Sequence, residues 1–400
     1  MTDLYCSGIA APIRLSEETL LPVLADFMGS WPFEVVSERL ERPPVISIQL
    51  CAGHIYQISA PWLSRPLRKH DLTEFLCNFA VDLVMAYLAA NPELVGLHAA
   101  AVQCADGLAV FPNQNRAGKS LLTAGFMAGG YVAYGDDLVA LTPEGLTRSF
   151  GLPPRLRLPL PPLTAPVETF IRNNLVFSNQ RYGFLKPEGS CRALFEQEAK
   201  VGSVVFLERQ DRGAPELSQI DRETGLKNMV NRCLLLHREQ ALTAFNLCEK
   251  VAQSASLWRL VYSHAHEAVE VLARELCLPF SRGDASRKSN SRLDLFEFNS
   301  ACTVSALSGK DLKRLYIRNK GVVCRKENNG LFLVEQNAGA IFHLNDMGRL
   351  IWDFLAEPIS ALEIAELLSS VFNAPKEVIL SDTAKLLEVL QAEDLILFAE

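Results

Sequence analysis

Residues 109–125 read AVFPNQNRAGKSLLTAG: an apolar run, a polar loop, and the start of a second apolar run. The tripeptide Gly118-Lys119-Ser120 at the entry to that second run is how a phosphate-binding loop ends. Such a loop works because successive backbone N–H groups curl around an anion at a helix N-terminus. A lysine then reaches the outer phosphates, and a serine hydroxyl meets magnesium. Glycines normally supply the backbone angles of the curl. Here Asn113 and Arg116 stand where glycines are usual. Asparagine tolerates left-handed angles better than other non-glycine residues, so Asn113 and Asn115 are expected to keep the path, while Arg116 adds a cation. The nucleotide-binding set read from the loop is Asn113, Gln114, Asn115, Arg116, Ala117, Gly118, Lys119, Ser120 and Leu121.

The flanking sequence supplies the setting such a loop requires. GLHAAAVQ (96–103), the turn CADG (104–107) and LAVFPN (108–113) predict two β-runs about a tight turn. GKSLLTAGFMAGG (118–130) predicts a helix ending in glycines, and YVAYGDDLVAL (131–141) a buried strand. Strand, loop, helix and strand in that order are the context of a phosphate loop. Asp136 and Asp137 fall on the strand after the loop helix, where a carboxylate pair is able to hold magnesium and accept a hydroxyl proton. Neighbours on a strand point to opposite sides, so the two are free to take different roles. His98 lies on the strand before the loop.

Together these segments resemble the C-terminal catalytic domain of HPr kinase/phosphorylase, in the form of smaller related kinases from peptide-modification gene clusters. The resemblance covers about 91–280 and is strongest over 97–140. It implies an α/β P-loop kinase body (HPr kinase/PEP carboxykinase-like) with ATP and Mg2+ as cofactors. It assigns Lys119 to the β- and γ-phosphates, Ser120 and Asp137 to magnesium, Asp136 to the base acting on the acceptor hydroxyl, and His98 to a place near the metal and γ-phosphate. Arg116 would add charge beside the phosphates. The Glu-x-Arg-Gly segment of the bacterial HPr enzyme is missing, so neither transfer to HPr nor the reverse phosphorolysis is implied. PPRLRLP (153–159) brings Arg155 and Arg157 to the region where cations would meet phosphates or acceptor, and it reads equally well as a surface loop. Glu208 and Arg209 read as a solvated strand end.

The bulk properties are those of an ordinary globular chain: 400 residues, 49% hydrophobic and 21% charged. A formal net charge of -7 gives no basic surface for general nucleic-acid binding. The N-terminus lacks the basic start and apolar core of a signal peptide, and no apolar run is read as approaching the roughly 18 residues of a membrane span. Ten scattered cysteines without a C-x-x-C suit a reducing cytoplasm rather than a disulfide scaffold or zinc site.

Four regions follow from the sequence: an N-terminal α/β part (1–90), the kinase-like domain (91–280), a linker (281–310) and a tail (311–400). ISIQLCAGHIYQIS (46–59) predicts a hairpin, and DLTEFLCNFAVDLVMAYLAANPELV (71–95) a helix with Asp71 as its cap and Pro92 just past its end. Residues 151–165 are too proline-rich for anything but an extended loop, 200–209 predict a strand, and 257–277 an amphipathic helix. The linker is marked by SRGDASRKSNSR (281–292), polar and almost without apolar residues.

In the tail, GVVCRKENNGLFLVEQNAGAIFHLN (321–345) predicts three short strands about NNG and NAG turns. Three helices follow: 346–357 capped by Asp346, 360–373 with a Ser360/Glu363 capping box, and 380–396. The tail resembles the PqqD-like family, a small α+β winged-helix-like recognition element that grips leader peptides of ribosomally made, modified peptides. HLNDMGRLIWDFLAE and the ISALEIAELL after it carry the likeness. It implies that a leader pairs with the third strand, Ala340, Ile341, Phe342, His343 and Leu344, and lies against the third helix, where Lys385 stands. Read together, body and tail make a kinase for a Ser or Thr hydroxyl of a ribosomal precursor peptide, with other modifying enzymes of the cluster as further partners. Two alternatives stay open: a non-catalytic precursor-peptide chaperone with a degenerate loop, and another ATP-dependent activation of the peptide such as carboxylate phosphorylation. Neither a nucleic acid nor a membrane is an expected partner.

Overall fold

The computed structural model describes the chain except residues 37–41, 54, 114–116, 188, 190, 278–310, 329, 336–338, 372–375 and 400. Gln114, Asn115, Arg116 and the linker 281–310 therefore lie outside the described residues. The chain divides into two compact units, one of Met1–Leu236 with Leu247–Asp284, the other of His237–Asn246 with Ala285–Glu400.

In the first unit, a six-stranded sheet runs in the order Phe33–Val36, Thr2–Cys6, Ile13–Leu15, Ile46–Cys51, Ile55–Ser59, Leu67–Lys69. The hairpin expected at 46–59 is present, turning at Gly53 with φ 79°. Helix Leu72–Ala90 begins where Asp71 accepts the Glu74 N–H at 2.9 Å. Its Phe75, Phe79, Leu83 and Tyr87 share one core with Leu4, Ile13, Phe27, Trp31 and Ile46. Contrary to the sequence reading, this helix is long and apolar enough to cross a bilayer by length and composition alone. It is instead a core helix, with Asp82 buried and held by the Trp62 indole N–H at 2.7 Å.

A ten-stranded sheet holds the strands on either side of the loop. Its main order is Ala133–Gly135, Ala99–Cys104, Gly107–Pro112, Glu198–Arg209, Leu146–Arg148, Val139–Leu141, Val95–Leu97, Cys233–Leu234. The strand leading into the loop, Gly107–Pro112, pairs in parallel with the long strand Glu198–Arg209, which pairs in parallel with Ser256–Tyr262 on its other side.

Two expectations are corrected. Residues 131–141 are not one strand. Ala133–Gly135 pairs with Ala99–Cys104, whereas Val139–Leu141 pairs with Val95–Leu97 and Leu146–Arg148. The chain bends between them so tightly that a Cβ on Gly135 would sit 2.6 Å from the Leu138 carbonyl oxygen. Residues 257–277 are not one helix either: Ser256–Tyr262 is a strand, and the α-helix is Ala265–Leu272. Apolar residues at 257, 260 and 261 fit a helix and those at 258, 260 and 262 fit a strand, and the edge of the long strand decides between them. The proline-rich 151–165 is extended as expected, with Arg155–Arg157 pairing to Tyr182–Leu185. Cys104 is disulfide-bonded, whereas Cys6, Cys51, Cys77, Cys191, Cys233, Cys248 and Cys324 are free.

The second unit holds the three predicted strands as an antiparallel sheet, Val322–Glu327, Gly330–Glu335, Ala340–Leu344 in that order. Helices Asp346–Phe354, Ala361–Val371 and Lys376–Ala392 follow, enclosing a core that includes Leu333, Leu344, Trp352, Ile364 and Leu387. The first helix is capped by Asn345, whose side chain accepts the Gly348 N–H at 2.9 Å; Asp346 lies in the first turn. The capping box is present: the Glu363 carboxylate accepts from the Ser360 N–H (2.9 Å) and hydroxyl (2.6 Å). A second small sheet of Ile359–Ser360, Leu315–Arg318 and Ile396–Phe398 has no counterpart in the sequence reading.

Candidate functional site

The loop leaves the sheet at Pro112, and its first residue is fixed by a means the sequence did not suggest. The Asn113 side-chain amide accepts the Leu207 N–H and donates to the Leu207 carbonyl, both at 2.8 Å. An amide side chain has the donor and acceptor of a peptide group, so Asn113 continues the parallel pairing past the proline. It is not among the described residues with positive φ, which corrects the expected left-handed role. Asn113→Ala is therefore expected to cost about 2 kcal/mol by leaving the Leu207 backbone groups unpaired, a loss that urea unfolding measures. Glycine at 113 should lower stability likewise.

The loop ends at Gly118, the residue before helix Lys119–Ala128, with φ 92°. A Cβ there would meet the Tyr262 hydroxyl at 2.2 Å, because that hydroxyl donates to the Ala117 carbonyl at 2.6 Å. Both the angle and the close approach require glycine. Ala117, Ser120 and Leu121 are half-buried around this turn.

Lys119 does not stand on the surface. It is 5% exposed, with Nζ donating to the Asn113 carbonyl at 2.7 Å and lying 3.9 Å from Asp137 Oδ1. Burial pulls its pKa down, against the opposing charges of Asp137 and Asp136. His98 Nε2 lies 2.7 Å from Asp137 Oδ1 and 3.1 Å from Lys119 Nζ. A carboxylate only accepts, so Nε2 carries the proton toward Asp137, and the lysine contact is one of proximity.

The bend between the two short strands places the aspartates differently from alternation on a strand. Asp136 is buried; its Oδ2 accepts the Arg155 backbone N–H at 3.0 Å, and it also takes a hydrogen bond from Ser120. Asp137 is half-buried, with His98 on one oxygen and the Arg155 guanidinium on the other at 3.0 Å. Arg155 thus holds both carboxylates, a role that its place in a proline-rich loop only hinted at. Burial, then the neighbouring Asp137, push Asp136 up to about 6. For Asp137 burial also pushes upward, but the His98 hydrogen bond and the Arg155 charge outweigh it and hold the carboxyl low.

An acid whose folded pKa exceeds its unfolded value stabilises the fold below the unfolded value, and that stability is lost as pH rises through the folded one. Here the window runs from 3.8 to about 6. Asp136→Asn is expected to raise the thermal midpoint by several degrees at pH 8, with the gain shrinking toward pH 4, in scans across that range.

The site accommodates the group that the resemblance implies. Magnesium takes hard oxygen ligands, commonly one or two carboxylates with phosphates and water. Ser120, Asp136 and Asp137 supply such oxygens beside the loop. Among the described residues no cluster of three or more His, Cys, Asp or Glu side chains forms a dedicated metal cage. Two cavities flank the group. One of about 450 Å³ is lined by Asn113, Ala117 and Leu207 together with Arg209, Thr224, Asn228 and Arg232. A smaller one of about 60 Å³ is lined by Cys77, Tyr134, Asp136, Asp137, Arg155 and Phe184. The structure therefore brings His98, Lys119, Ser120, Asp136 and Asp137 together. Arg232 and Tyr262 carried no motif and were not foreseen.

In the second unit, Ala340–Leu344 is an edge strand that pairs, among the described residues, only with Gly330–Glu335. Ala340 to His343 are half-buried and Leu344 is buried, with the His343 ring 4.8 Å from Phe332. Lys385 is exposed on helix Lys376–Ala392, 3.6 Å from Asp382.

Comparison with known proteins identifies part of the chain. Residues 330–396 match the family described as Coenzyme PQQ synthesis protein D (PqqD), so the C-terminal unit contains a small PqqD domain. Among solved structures, "TbiB1 in Complex with the TbiA(beta) Leader Peptide" is similar at 21% identity, over 20% of this chain and 93% of that one, with a TM-score of 0.19. No curated protein matches the chain.

Proposed function

We propose that this chain is a peptide kinase, moving the γ-phosphoryl group of ATP to a Ser or Thr hydroxyl of a ribosomally made precursor peptide whose leader is held by the PqqD domain. The observation that carries the reading is the gathering of His98, Lys119, Ser120, Asp136 and Asp137 at the entry of one helix after a strand–loop turn. Lys119 would neutralise the outer phosphates, and the N-terminus of its helix adds a fixed positive potential. Asp136, its pKa pushed up to about 6 by burial, suits a base that takes the acceptor hydroxyl's proton. Arg155 positions the carboxylates. Ser120 and Asp137 are the residues to hold magnesium, which when bound balances phosphate charge. The PqqD domain supports the peptide half of the reading. A leader bound on the same chain makes delivery of the acceptor effectively intramolecular.

The test is incubation of the purified chain with ATP, Mg2+ and a precursor peptide whose leader it binds. A precursor heavier by one phosphoryl group on a hydroxyl, with matching ADP release, is the expected result. Leader binding with no ATP consumption and no mass change would establish the chaperone reading instead.

A further inference from the structure

The cavity of about 450 Å³ beside the loop is of ordinary size for a small-molecule site. Its charged lining is unbalanced. Of its three arginines, Arg259 is neutralised by Glu208, at 2.8 Å through Nε. Arg209 and Arg232 have no carboxylate partner among the described residues. Arg232 is held in place by its backbone, its N–H donating to the Met229 carbonyl and its own carbonyl accepting the His98 N–H, both at 2.8 Å. The next residue, Cys233, pairs with Leu97. A short strand thus delivers Arg232 to the side of His98 and Lys119. Arg232 is half-buried, and its charge weighs against that of Lys119.

Arg232, half-buried and without a carboxylate partner among the described residues, opposes folding unless something anionic sits with it. The fixed planar fork of an arginine suits phosphate oxygens, and the cavity that Arg232 lines is also lined by Ala117, two residues before helix Lys119–Ala128. Away from the cations the wall becomes neutral, with Leu207, Ile220, Thr224 and Asn228.

Building on the kinase reading, we propose that Arg232 is a further substrate-contacting residue. Its guanidinium meets the phosphates of a nucleoside triphosphate whose nucleoside part occupies the cavity against Ile220, Thr224 and Asn228. Arg232 would then supply, from a distant segment, positive charge at a loop where Asn113 and Arg116 stand in place of the usual glycines.

Calorimetric titration with tripolyphosphate and with ATP tests this on the full chain, using wild type, Arg232→Ala, Arg232→Lys and Thr224→Trp. Arg232→Ala is expected to weaken both ligands on the order of tenfold or more, with Arg232→Lys recovering part of the loss. Thr224→Trp should block ATP and leave tripolyphosphate unaffected. Unaltered tripolyphosphate affinity in a folded Arg232→Ala protein overturns the proposal, even if ATP is still turned over. Arg232-dependent tripolyphosphate binding without ATP binding keeps the phosphate contact while removing the nucleoside placement and the kinase reading. Binding of neither ligand by wild type removes all three.

Discussion

Lys119→Ala is expected to lower phosphoryl transfer on the order of 10²- to 10³-fold, the range seen when a preorganised charge or donor is removed from a transition state. Lys119 is nearly enclosed, so its charge acts in a medium that screens it little. The fold should survive. The lysine is a buried cation whose pKa burial already lowers, and Asp137 keeps His98 and Arg155 when it is gone. Single-turnover assays with saturating ATP, beside a thermal scan of the same protein, separate lost catalysis from lost structure. Undiminished turnover would remove the loop from the chemistry.

Proline substitutions along Ala340–Leu344 should have the second large effect. In an antiparallel pair, neighbouring residues alternately direct their N–H groups toward the partner strand and away from it. Ile341 faces Val334 and Phe342 faces Leu333, so one of the two has its N–H on the open edge. Proline at that position should leave the three-stranded sheet intact while removing a donor that an added strand needs. At the other position it should break the existing ladder. With a fluorescent leader peptide, the first variant is expected to stay folded and lose binding by more than tenfold, about 1.4 kcal/mol. If both variants stay folded and bind normally, leader recognition does not use this edge.

What could be read from the sequence was whatever is decided locally. The Asp71 cap, the Ser360/Glu363 box, the hairpins at 46–59 and 99–112 and the left-handed Gly118 each depend on a few adjacent residues, and each is present. Errors arose where a distant partner decided. Residues 256–262 fit helix and strand alike until the long strand offers an edge. The bend at Asp136 arises because the two halves of 131–141 pair with different strands. Within the site, Lys119, Ser120, Asp136 and Asp137 stood out through spacing. Arg155 was visible only as a cation of open role, and nothing local marks Arg232, which a two-residue strand brings in from nearly a hundred residues beyond the aspartates.

The double hydrogen bond between Asn113 and Leu207 also bears on how binding would be driven. A glycine at the start of such a loop leaves the chain to be ordered when an anion arrives, and ordering carries an entropic cost at that moment. With Asn113 anchored, that cost at the loop's first residue falls on folding instead. Anion association here should accordingly be less opposed by entropy than in an Asn113→Gly protein, and the difference should appear as a smaller entropic penalty at similar heat release.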